Sequence, residues 1–208
     1  MRIGVLALQG AFAEHISVLH RLEADTVPIR LPHQLVGLDG LIIPGGESTT
    51  MTGLMLDYNL RTEISRKATE GLPVFGTCAG MILLARDVDD NHVQPIAAMA
   101  IKVRRNAFGR QKESFEADLS IPVLGEKPFP GVFIRAPIIE SADDNVEVLA
   151  CLTNGNNLVA AEDTGTSAAE PVIVAVRQGR LLACAFHPEL TDDVRFHRYF
   201  LDIVTGKS

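Results

Sequence analysis

The amino-acid sequence predicts an α/β fold whose central sheet is mainly parallel in the first half of the chain and antiparallel in the second. In the first half, short apolar runs alternate with segments of helical periodicity, which is typical of parallel strands covered by helices. In the second half, short strand-like runs follow one another with only turns between them. The chain has 208 residues, enough for one large core, so we expect residues 1–208 to form a single domain.

Four apolar runs in the first half are predicted to be strands: Ile3–Leu8, Thr26–Leu31, Gly40–Pro44 and Leu72–Thr77. Continuous apolar runs of this length are typical of strands that are buried on both faces. Proline cannot donate a backbone hydrogen bond, so Pro28 favours an edge position for the second strand.

Helices are predicted to follow the first, third and fourth of these strands. Phe12, Ile16, Leu19 and Leu22 recur at helical spacing after the first strand. The long segment Thr49–Glu70 is predicted to form two helices broken near Tyr58-Asn59, and Ala79–Arg86 a further one.

The second half is predicted to begin with five short strands: Ala98–Arg105, Ser114–Ile121, Gly131–Pro137, Val146–Leu152 and Asn157–Asp163. Pro171–Phe186 is predicted to be a hairpin that turns at Gln178-Gly179. The final helix is expected to start after Thr191, which is a good N-cap residue, with Asp192 and Asp193 in its first turn. The composition of Asp163–Pro171 is typical of a surface loop.

Composition and charge exclude several classes of function. The formal net charge is −7 and no long block of Lys and Arg occurs, which argues against nucleic acid as a partner. The three cysteines, Cys78, Cys151 and Cys184, have no CxxC spacing and no paired histidine, so no zinc site is expected. Sparse cysteines and the lack of a long apolar run predict a cytoplasmic protein without membrane contact.

Cys78 lies in Gly76-Thr77-Cys78-Ala79-Gly80, between a predicted strand and a predicted helix. The same pattern with serine forms the nucleophile elbow of hydrolases, in which the glycines permit a tight turn. The start of a helix also favours a thiolate. Core packing is the alternative interpretation of this cysteine, because free cysteines are often buried.

His187 is the best candidate for the base that a thiol nucleophile needs. It ends an apolar strand, and Pro188 disfavours a helical backbone at His187. In an extended segment Glu189 would point to the same side and could orient the ring. A water-exposed histidine at a strand end is the alternative. His15, His20 and His197, which lie on predicted helices, are expected to have surface or partly buried structural roles.

The segment Ile42–Thr49 places two glycines after the third strand and before a helix. Consecutive glycines allow backbone N–H groups to converge on an anion, such as the oxyanion of an acyl-transfer reaction. A simple capped turn is the alternative. Because the nest, the elbow and His187 all follow strands, they are expected at the carboxyl edge of the sheet.

The motifs “PGGES”, “GTCAG” and “HPE” resemble those of class I (triad) glutamine amidotransferases. The longer segments “LQGAFAEH”, “LIIPGGESTTM”, “RNAFGRQKESFEADL” and “GVFIRAP” are similar to the glutaminase subunits of pyridoxal 5′-phosphate synthase. The resemblance covers nearly the whole chain. It implies the three-layer, flavodoxin-like fold of class I glutamine amidotransferases.

The resemblance also implies a reaction and a partner. The side-chain amide of L-glutamine would be hydrolysed through a thioester to glutamate and ammonia, without a cofactor or metal. Ammonia would pass to a separate barrel-shaped synthase subunit in a hetero-oligomer, which combines it with a pentose phosphate and a triose phosphate.

Site residues carry over from the same resemblance. Cys78 would be the nucleophile, His187 the general base and acid, and Glu189 the orienting carboxylate. The N–H groups of Gly46 and Ala79 would form the oxyanion hole. Glutamine would be bound by Gly46, Glu47, Ser48, Arg105, Ile134 and Arg135. The residues themselves do not decide whether Arg104, Arg105, Arg110 or Arg135 meets the substrate carboxylate.

Three alternatives remain at the level of sequence. The chain could serve another ammonia-using synthase, such as that of histidine biosynthesis, although “RNAFGRQ” and “GVFIRAP” favour the cofactor pathway. It could be a stand-alone thiol hydrolase or peptidase, or a binding protein with a relic site. The segment Asp163–Pro171 is longer than expected for the family and could alter a contact with a partner.

Overall fold

The computed structural model describes residues 1–105, 114–153 and 171–207. The predicted strand Asn157–Asp163 and the loop up to Glu170 lie outside the described residues, as does most of the “RNAFGRQ” segment.

Twelve strands are found in the described part of the chain: β1 Arg2–Leu6, β2 Asp25–Ile29, β3 Gly40–Ile43, β4 Val74–Thr77, β5 Ala85–Val88, β6 Met99–Arg104, β7 Ser114–Leu119, β8 Phe129–Ile134, β9 Ile138–Ala142, β10 Glu147–Leu152, β11 Val172–Gln178 and β12 Leu181–Cys184. The same part contains five α-helices: α1 Phe12–Arg21, α2 Ser48–Asp57, α3 Leu60–Thr69, α4 Ala79–Leu84 and α5 Arg195–Thr205.

The main sheet has the strand order β2-β1-β3-β4-β12-β11-β9-β6-β5, with β10 paired to β11. Its first five strands are parallel, whereas β12, β11, β9 and β6 are joined by antiparallel pairing. The predicted mixed α/β fold is therefore confirmed, and β2, which contains Pro28, does lie at an edge. β7 and β8 form a separate antiparallel hairpin.

The topology decides where the site lies. β12 comes late in the chain, yet it pairs in parallel with β4, and β3 pairs with β4 on the other side. The segments that follow β3, β4 and β12 therefore meet at one edge of the sheet. On one face of β4, Phe75 packs against Phe196 and Phe200 of α5, with ring centroids 5.5 Å apart in both pairs.

The break predicted near Tyr58-Asn59 is confirmed, because Asn59 has a φ of 57° between α2 and α3. The predicted hairpin at Gln178-Gly179 is also present as β11 and β12. β5 and β9 were not predicted. Each is short and carries charged residues, and each is held by pairing with β6.

Two helix boundaries were predicted wrongly. α4 ends at Leu84 instead of Arg86, because the chain from Ala85 extends to pair with β6. α5 begins at Arg195 and not just after Thr191. The Thr191 hydroxyl accepts the N–H of Asp193 in a local turn, and the Asp193 carboxylate accepts the N–H of Arg195 at 3.1 Å. Asp193 thus satisfies a donor at the start of the helix that Thr191 was expected to satisfy.

No helix in the described ranges combines the length and the apolar character needed to cross a membrane.

Candidate active site

A pocket of about 330 Å³ lies at the carboxyl ends of β3, β4 and β12. It is lined by Gln9, Gly10, Ala11, Gly45, Gly46, Glu47, Ser48, Cys78, Ala79, Ile82, Arg105, Ile134, Arg135, His187 and Leu190. Eight of the predicted site residues therefore share one cavity with Cys78. Glu189 lies behind His187 and does not line this cavity.

Cys78 occupies a strained turn between β4 and α4. Its φ is 48° and its ψ is −104°, a conformation that L-residues rarely adopt. A Cβ at Gly76 would lie 2.5 Å from the carbonyl oxygen of Gly80, and one at Gly80 would lie 1.9 Å from that of Ile43. Both glycines are required because strand and helix approach so closely here, as the elbow interpretation predicts.

The strain at Cys78 is compensated by hydrogen bonds to neighbouring elements. The Cys78 N–H donates to the Cys184 carbonyl on β12 at 2.8 Å. Its Sγ lies 3.9 Å from the carbonyl oxygen of Ile134. Cys78 as a whole is only 7% exposed, and it lines the pocket.

His187 and Glu189 form a buried pair. His187 Nδ1 lies 2.7 Å from Glu189 Oε1, and the His187 backbone N–H donates to Val132 at 2.8 Å. The contact was predicted, but the geometry behind it was not. Pro188–Leu190 forms a 3-10 turn instead of an extended segment. This turn brings the carboxylate back beneath the imidazole.

His187 and Glu189 each stabilise the charged form of the other. Burial by itself lowers the pKa of His187, but hydrogen bonds to Cys78 and Glu189 and the charges of both raise it to about 10. Burial by itself raises the pKa of Glu189, but His15 and His187 lower it below its usual value. The arrangement therefore favours an imidazolium and a carboxylate at neutral pH.

The glycine nest and the start of α4 both line the pocket beside Cys78. Ala79 is the first residue of α4, where N–H groups have no acceptor within the helix. The Gly45 carbonyl accepts the N–H of Ala11 at 3.0 Å, and Gln9 Oε1 accepts the N–H of Glu47 at 2.7 Å. The segment after β1 thus holds the glycine nest through two hydrogen bonds.

Glu47 is occupied by contacts within the chain. Its carboxylate caps α2 by accepting the N–H of Thr50 at 2.7 Å, and it also contacts the guanidinium of Arg105 at 3.2 Å. Burial by itself raises the pKa of Glu47, but hydrogen bonds from Thr49 and Thr50 lower it to about 2. Arg105 forms a second ion pair with Asp90. Its charge is thus already compensated by two carboxylates.

Arg135 is differently placed from Arg105. It lines the same pocket at a φ of 43°, just after β8, and has no acidic partner among the residues that the structure describes. Ser48, at the start of α2, has a buried hydroxyl that makes no hydrogen bond within the described ranges. Both side chains are available to a polar ligand. Arg104 instead pairs with Glu140, and Arg110 lies outside the described residues.

The interpretation of His15 and His197 as surface or partly buried residues was wrong. Both are fully buried, and His15 Nδ1 lies 2.9 Å from His197 Nε2. His15 Nε2 lies 3.1 Å from the Thr77 hydroxyl and 3.4 Å from Glu189 Oε2. The helical spacing of the apolar residues could have indicated this burial. His15 lies between Phe12 and Leu19 on one helix, and His197 is three residues before Phe200 on another.

Other features of the described residues offer weaker candidates for a site. A larger cavity of about 550 Å³ lies at the amino ends of the strands, but neither a cysteine nor a histidine lines it. Burial raises the pKa of both Cys151 and Cys184. No cluster of three or more His, Cys, Asp or Glu in these residues is placed to hold a metal ion.

Comparison with known proteins identifies close relatives. Residues 5–205 match the model of the SNO glutamine amidotransferase family. The chain is 53% identical over 204 residues to “Pyridoxal 5′-phosphate synthase subunit PdxT” of Moorella thermoacetica, covering 98% of this chain and all of that one. It is 54% identical over 202 residues to the protein of the same name from Pelotomaculum thermopropionicum, covering 97% and 94%.

Solved structures agree with this comparison. A crystal structure described as a glutamine amidotransferase has a TM-score of 0.84 and 45% sequence identity, with 98% of each chain covered. A protein from Thermoplasma acidophilum, described as part of a putative GMP synthase, has a TM-score of 0.66 at 19% identity, covering 99% of this chain and 94% of that one. The latter likeness concerns the fold alone.

Proposed function

Because this chain belongs to the SNO glutamine amidotransferase family, we propose that it is the glutaminase of a pyridoxal 5′-phosphate synthase, with Cys78, His187 and Glu189 as its catalytic residues. The observation that carries the assignment is the strained Cys78 in one pocket with His187, whose Nδ1 lies 2.7 Å from Glu189 Oε1. The name of the curated relatives supports the synthase as the destination of the ammonia.

The reaction begins with attack of the Cys78 thiolate on the side-chain amide carbon of glutamine. An imidazolium at His187 favours the thiolate, and its raised pKa keeps it protonated at neutral pH. The carbonyl oxygen becomes an oxyanion, which the N–H groups of Gly46 and Ala79 stabilise. His187 then gives its proton to the leaving nitrogen, and ammonia departs from a thioester.

Hydrolysis of the thioester reverses these roles. His187, now neutral, takes a proton from water, and the hydroxide attacks the thioester carbon. The carbon–sulfur bond then breaks, which restores the Cys78 thiolate beside the His187 imidazolium, and the new carboxylic acid releases its proton to water or ammonia as glutamate leaves. Glu189 accepts the Nδ1–H of His187 throughout, which keeps Nε2 directed at the reacting atoms. Glu189 is the orienting group of the triad and is not consumed in either step.

Arg135 binds the α-carboxylate of glutamine in this proposal. Arg135 lines the pocket and has no paired acid in the described residues, whereas Arg105 is compensated by Glu47 and Asp90. Arg105 and Glu47 contact the bound glutamine as part of the pocket lining. Gly46, Ser48 and Ile134 complete this lining. The buried Ser48 hydroxyl offers a hydrogen bond to the substrate.

The experiment that tests the function measures glutamate release from L-glutamine in the presence of the synthase subunit. Pentose phosphate and triose phosphate are supplied, and the transfer of ¹⁵N from the glutamine amide into pyridoxal 5′-phosphate is followed. We expect label transfer with the wild type and none with Cys78→Ala. Glutamate release without label transfer would indicate another acceptor, and hydrolysis of substrates other than glutamine would indicate a stand-alone thiol hydrolase.

A further inference from the structure

Behind the triad, a chain of buried side chains runs from Glu189 into the core between α1 and α5. It consists of His15, Thr77 and His197, all of which are fully buried. Glu189 Oε1 faces His187, but Oε2 is buried and makes no hydrogen bond in the described part of the chain. His15 Nε2 lies 3.4 Å from this oxygen.

The protons of this chain can be assigned from its contacts. Burial lowers the pKa of His15 and strongly lowers that of His197, so both rings are neutral and each carries one proton. His197 Nδ1 is buried without a partner in the described residues. A buried N–H without an acceptor is less favourable than a bare nitrogen, so the His197 proton belongs on Nε2. It is donated to His15 Nδ1 across 2.9 Å.

With Nδ1 as an acceptor, His15 carries its own proton on Nε2. This nitrogen is hydrogen-bonded to the Thr77 hydroxyl at 3.1 Å, and Glu189 Oε2 lies 3.4 Å from it, close enough for the N–H dipole to act on the carboxylate. The opposite assignment would direct a bare nitrogen at the carboxylate and would leave a buried N–H on His197 without an acceptor. Both considerations give the same assignment, in which His197 donates to His15 and the N–H of His15 lies on the side of the Glu189 carboxylate.

We propose that His15 is a positioning residue of the triad, held by His197, whose Nε2–H orients the Glu189 carboxylate and keeps it ionised. The proposal rests on the catalytic role proposed above for Glu189. His15 does not touch the substrate pocket, so it acts through Glu189 and His187. The charged or titratable groups that face the two rings are Glu189, His187 and Glu14 around His15, and Arg21 near His197.

The test compares His15→Leu, which removes both ring nitrogens, with His15→Gln, whose side-chain amide can still donate to Glu189. We expect kcat to fall about 10- to 100-fold in His15→Leu, the range for removing a polar partner from a buried charged group. KM should change little because the pocket is intact. His15→Gln should recover most of the loss. His20→Leu is the matched control on α1, since the His20 ring is hydrogen-bonded to Thr26 and not to a residue of the buried chain.

A second measurement does not depend on turnover. NMR titration of the His187 ring should give a lower pKa in His15→Leu than in the wild type, because a poorly held Glu189 supports the imidazolium less well. In a Glu189→Gln background, His15→Leu should cause no further loss of kcat, as expected for residues that act through one another. If glutaminase activity proves absent in the wild type, the His187 titration still decides the role of His15.

A lower melting temperature of His15→Leu, together with an unchanged kcat and an unchanged His187 titration, would overturn the proposal. It would also be overturned by full additivity with Glu189→Gln. Should His15→Leu fail to fold, His15→Asn replaces it. The shorter amide mimics Nδ1 toward His197 but does not reach Glu189, so the same loss and the same titration shift are expected.

Discussion

At the level of single residues, the site depends on a cysteine held in an unfavourable backbone conformation. Cys78 is strained at φ 48°, and its N–H donates to the Cys184 carbonyl on β12, which helps to maintain that conformation. Strain of this kind costs on the order of 1–3 kcal/mol and is concentrated at functional sites. It directs Sγ toward the pocket instead of into the core, which is where Cys184 lies.

Cys78→Ala is expected to abolish glutamate release while changing the free energy of unfolding by about 1 kcal/mol or less, because alanine fits the same turn. A glutamine-mimicking electrophile should label Cys78 and spare Cys151 and Cys184, since burial raises the pKa of both. Mass spectrometry of the labelled peptides decides the point, and label on Cys151 would remove Cys78 as the nucleophile.

Glu189→Gln is expected to lower kcat by several orders of magnitude. Loss of the orienting carboxylate costs about 10⁴ in a serine protease, and a smaller factor is expected here because a thiol ionises more easily than a hydroxyl. The pKa of His187 should also fall from about 10, since Glu189 contributes to raising it. Steady-state kinetics and an NMR titration measure the two effects. Near-wild-type turnover would exclude Glu189 from the triad.

Arg135→Gln is expected to raise KM for glutamine by about 10-fold or more, because an ion pair with a substrate carboxylate is lost, with a smaller effect on kcat. Arg104→Gln is the control, since Arg104 pairs with Glu140 away from the pocket. A change in KM confined to an Arg105 variant would transfer the role to Arg105.

At the level of secondary-structure elements, the pocket is built by the starts of α2 and α4. Each helix follows a parallel strand after a short turn, so its first N–H groups face the carboxyl edge of the sheet. The Glu47 carboxylate neutralises the start of α2, whereas α4 keeps its first N–H groups available beside Cys78. The two helices therefore contribute differently to the same pocket.

Gly80→Ala and Gly53→Ala test how closely α4 must approach β3. A Cβ at Gly80 would lie 1.9 Å from the Ile43 carbonyl, so this variant is expected to be destabilised by about 2–3 kcal/mol or more. Gly53, inside α2, has open space around it, and its replacement should stabilise the protein by about 0.5–1 kcal/mol. Urea unfolding of both variants supplies the comparison. Equal stabilities would contradict the close approach.

Glu47→Gln tests the cap of α2 through its pH dependence. The wild type is expected to be more stable by about 1 kcal/mol at pH 7. The folded-state pKa is lowered from 4.5 to about 2, so the advantage is present above pH 4.5 and is lost as the pH falls through 2. Glu63→Gln, at a partly exposed carboxylate paired with Arg66, should change stability by less than about 0.5 kcal/mol. An advantage that grows toward low pH would contradict the assignment.

At the level of the whole molecule, the segment after β1 connects the outer surface to the glycine nest. The Ala11 N–H donates to the Gly45 carbonyl, and the Gln9 side-chain oxygen accepts the N–H of Glu47. Because a trans peptide directs its C=O and N–H in opposite directions, rotation of the Gly45–Gly46 peptide would redirect the Gly46 N–H. A partner that docks at this segment could therefore alter the oxyanion hole without moving the triad.

The isolated chain is accordingly expected to be weakly active and to be activated about 10²–10³-fold by the synthase subunit, the value of one oxyanion donor. Turnover measured against increasing synthase subunit, with the His187 titration as a control for the triad, tests this expectation. Full activity of the isolated chain, unchanged by saturating partner, would contradict it.

The sequence by itself determined the parts of this protein that depend on local patterns. Alternating apolar and helical segments predicted the parallel half of the sheet, and Pro28 predicted its edge, because periodicity and missing donors act within a few residues. The glycines at 76 and 80 predicted the turn at Cys78 for the same reason. The resemblance of the motifs predicted the family, which the comparisons confirm.

Only the tertiary structure decided the features that depend on distant segments. β5 and β9 exist because β6 pairs with them, and α5 starts late because Asp193 satisfies the first donor. The contact of Glu189 with His187 comes from a 3-10 turn that the extended interpretation did not include. His15 and His197 meet behind that contact because α1 and α5 lie on the same face of β4, a proximity that no spacing along the chain specifies.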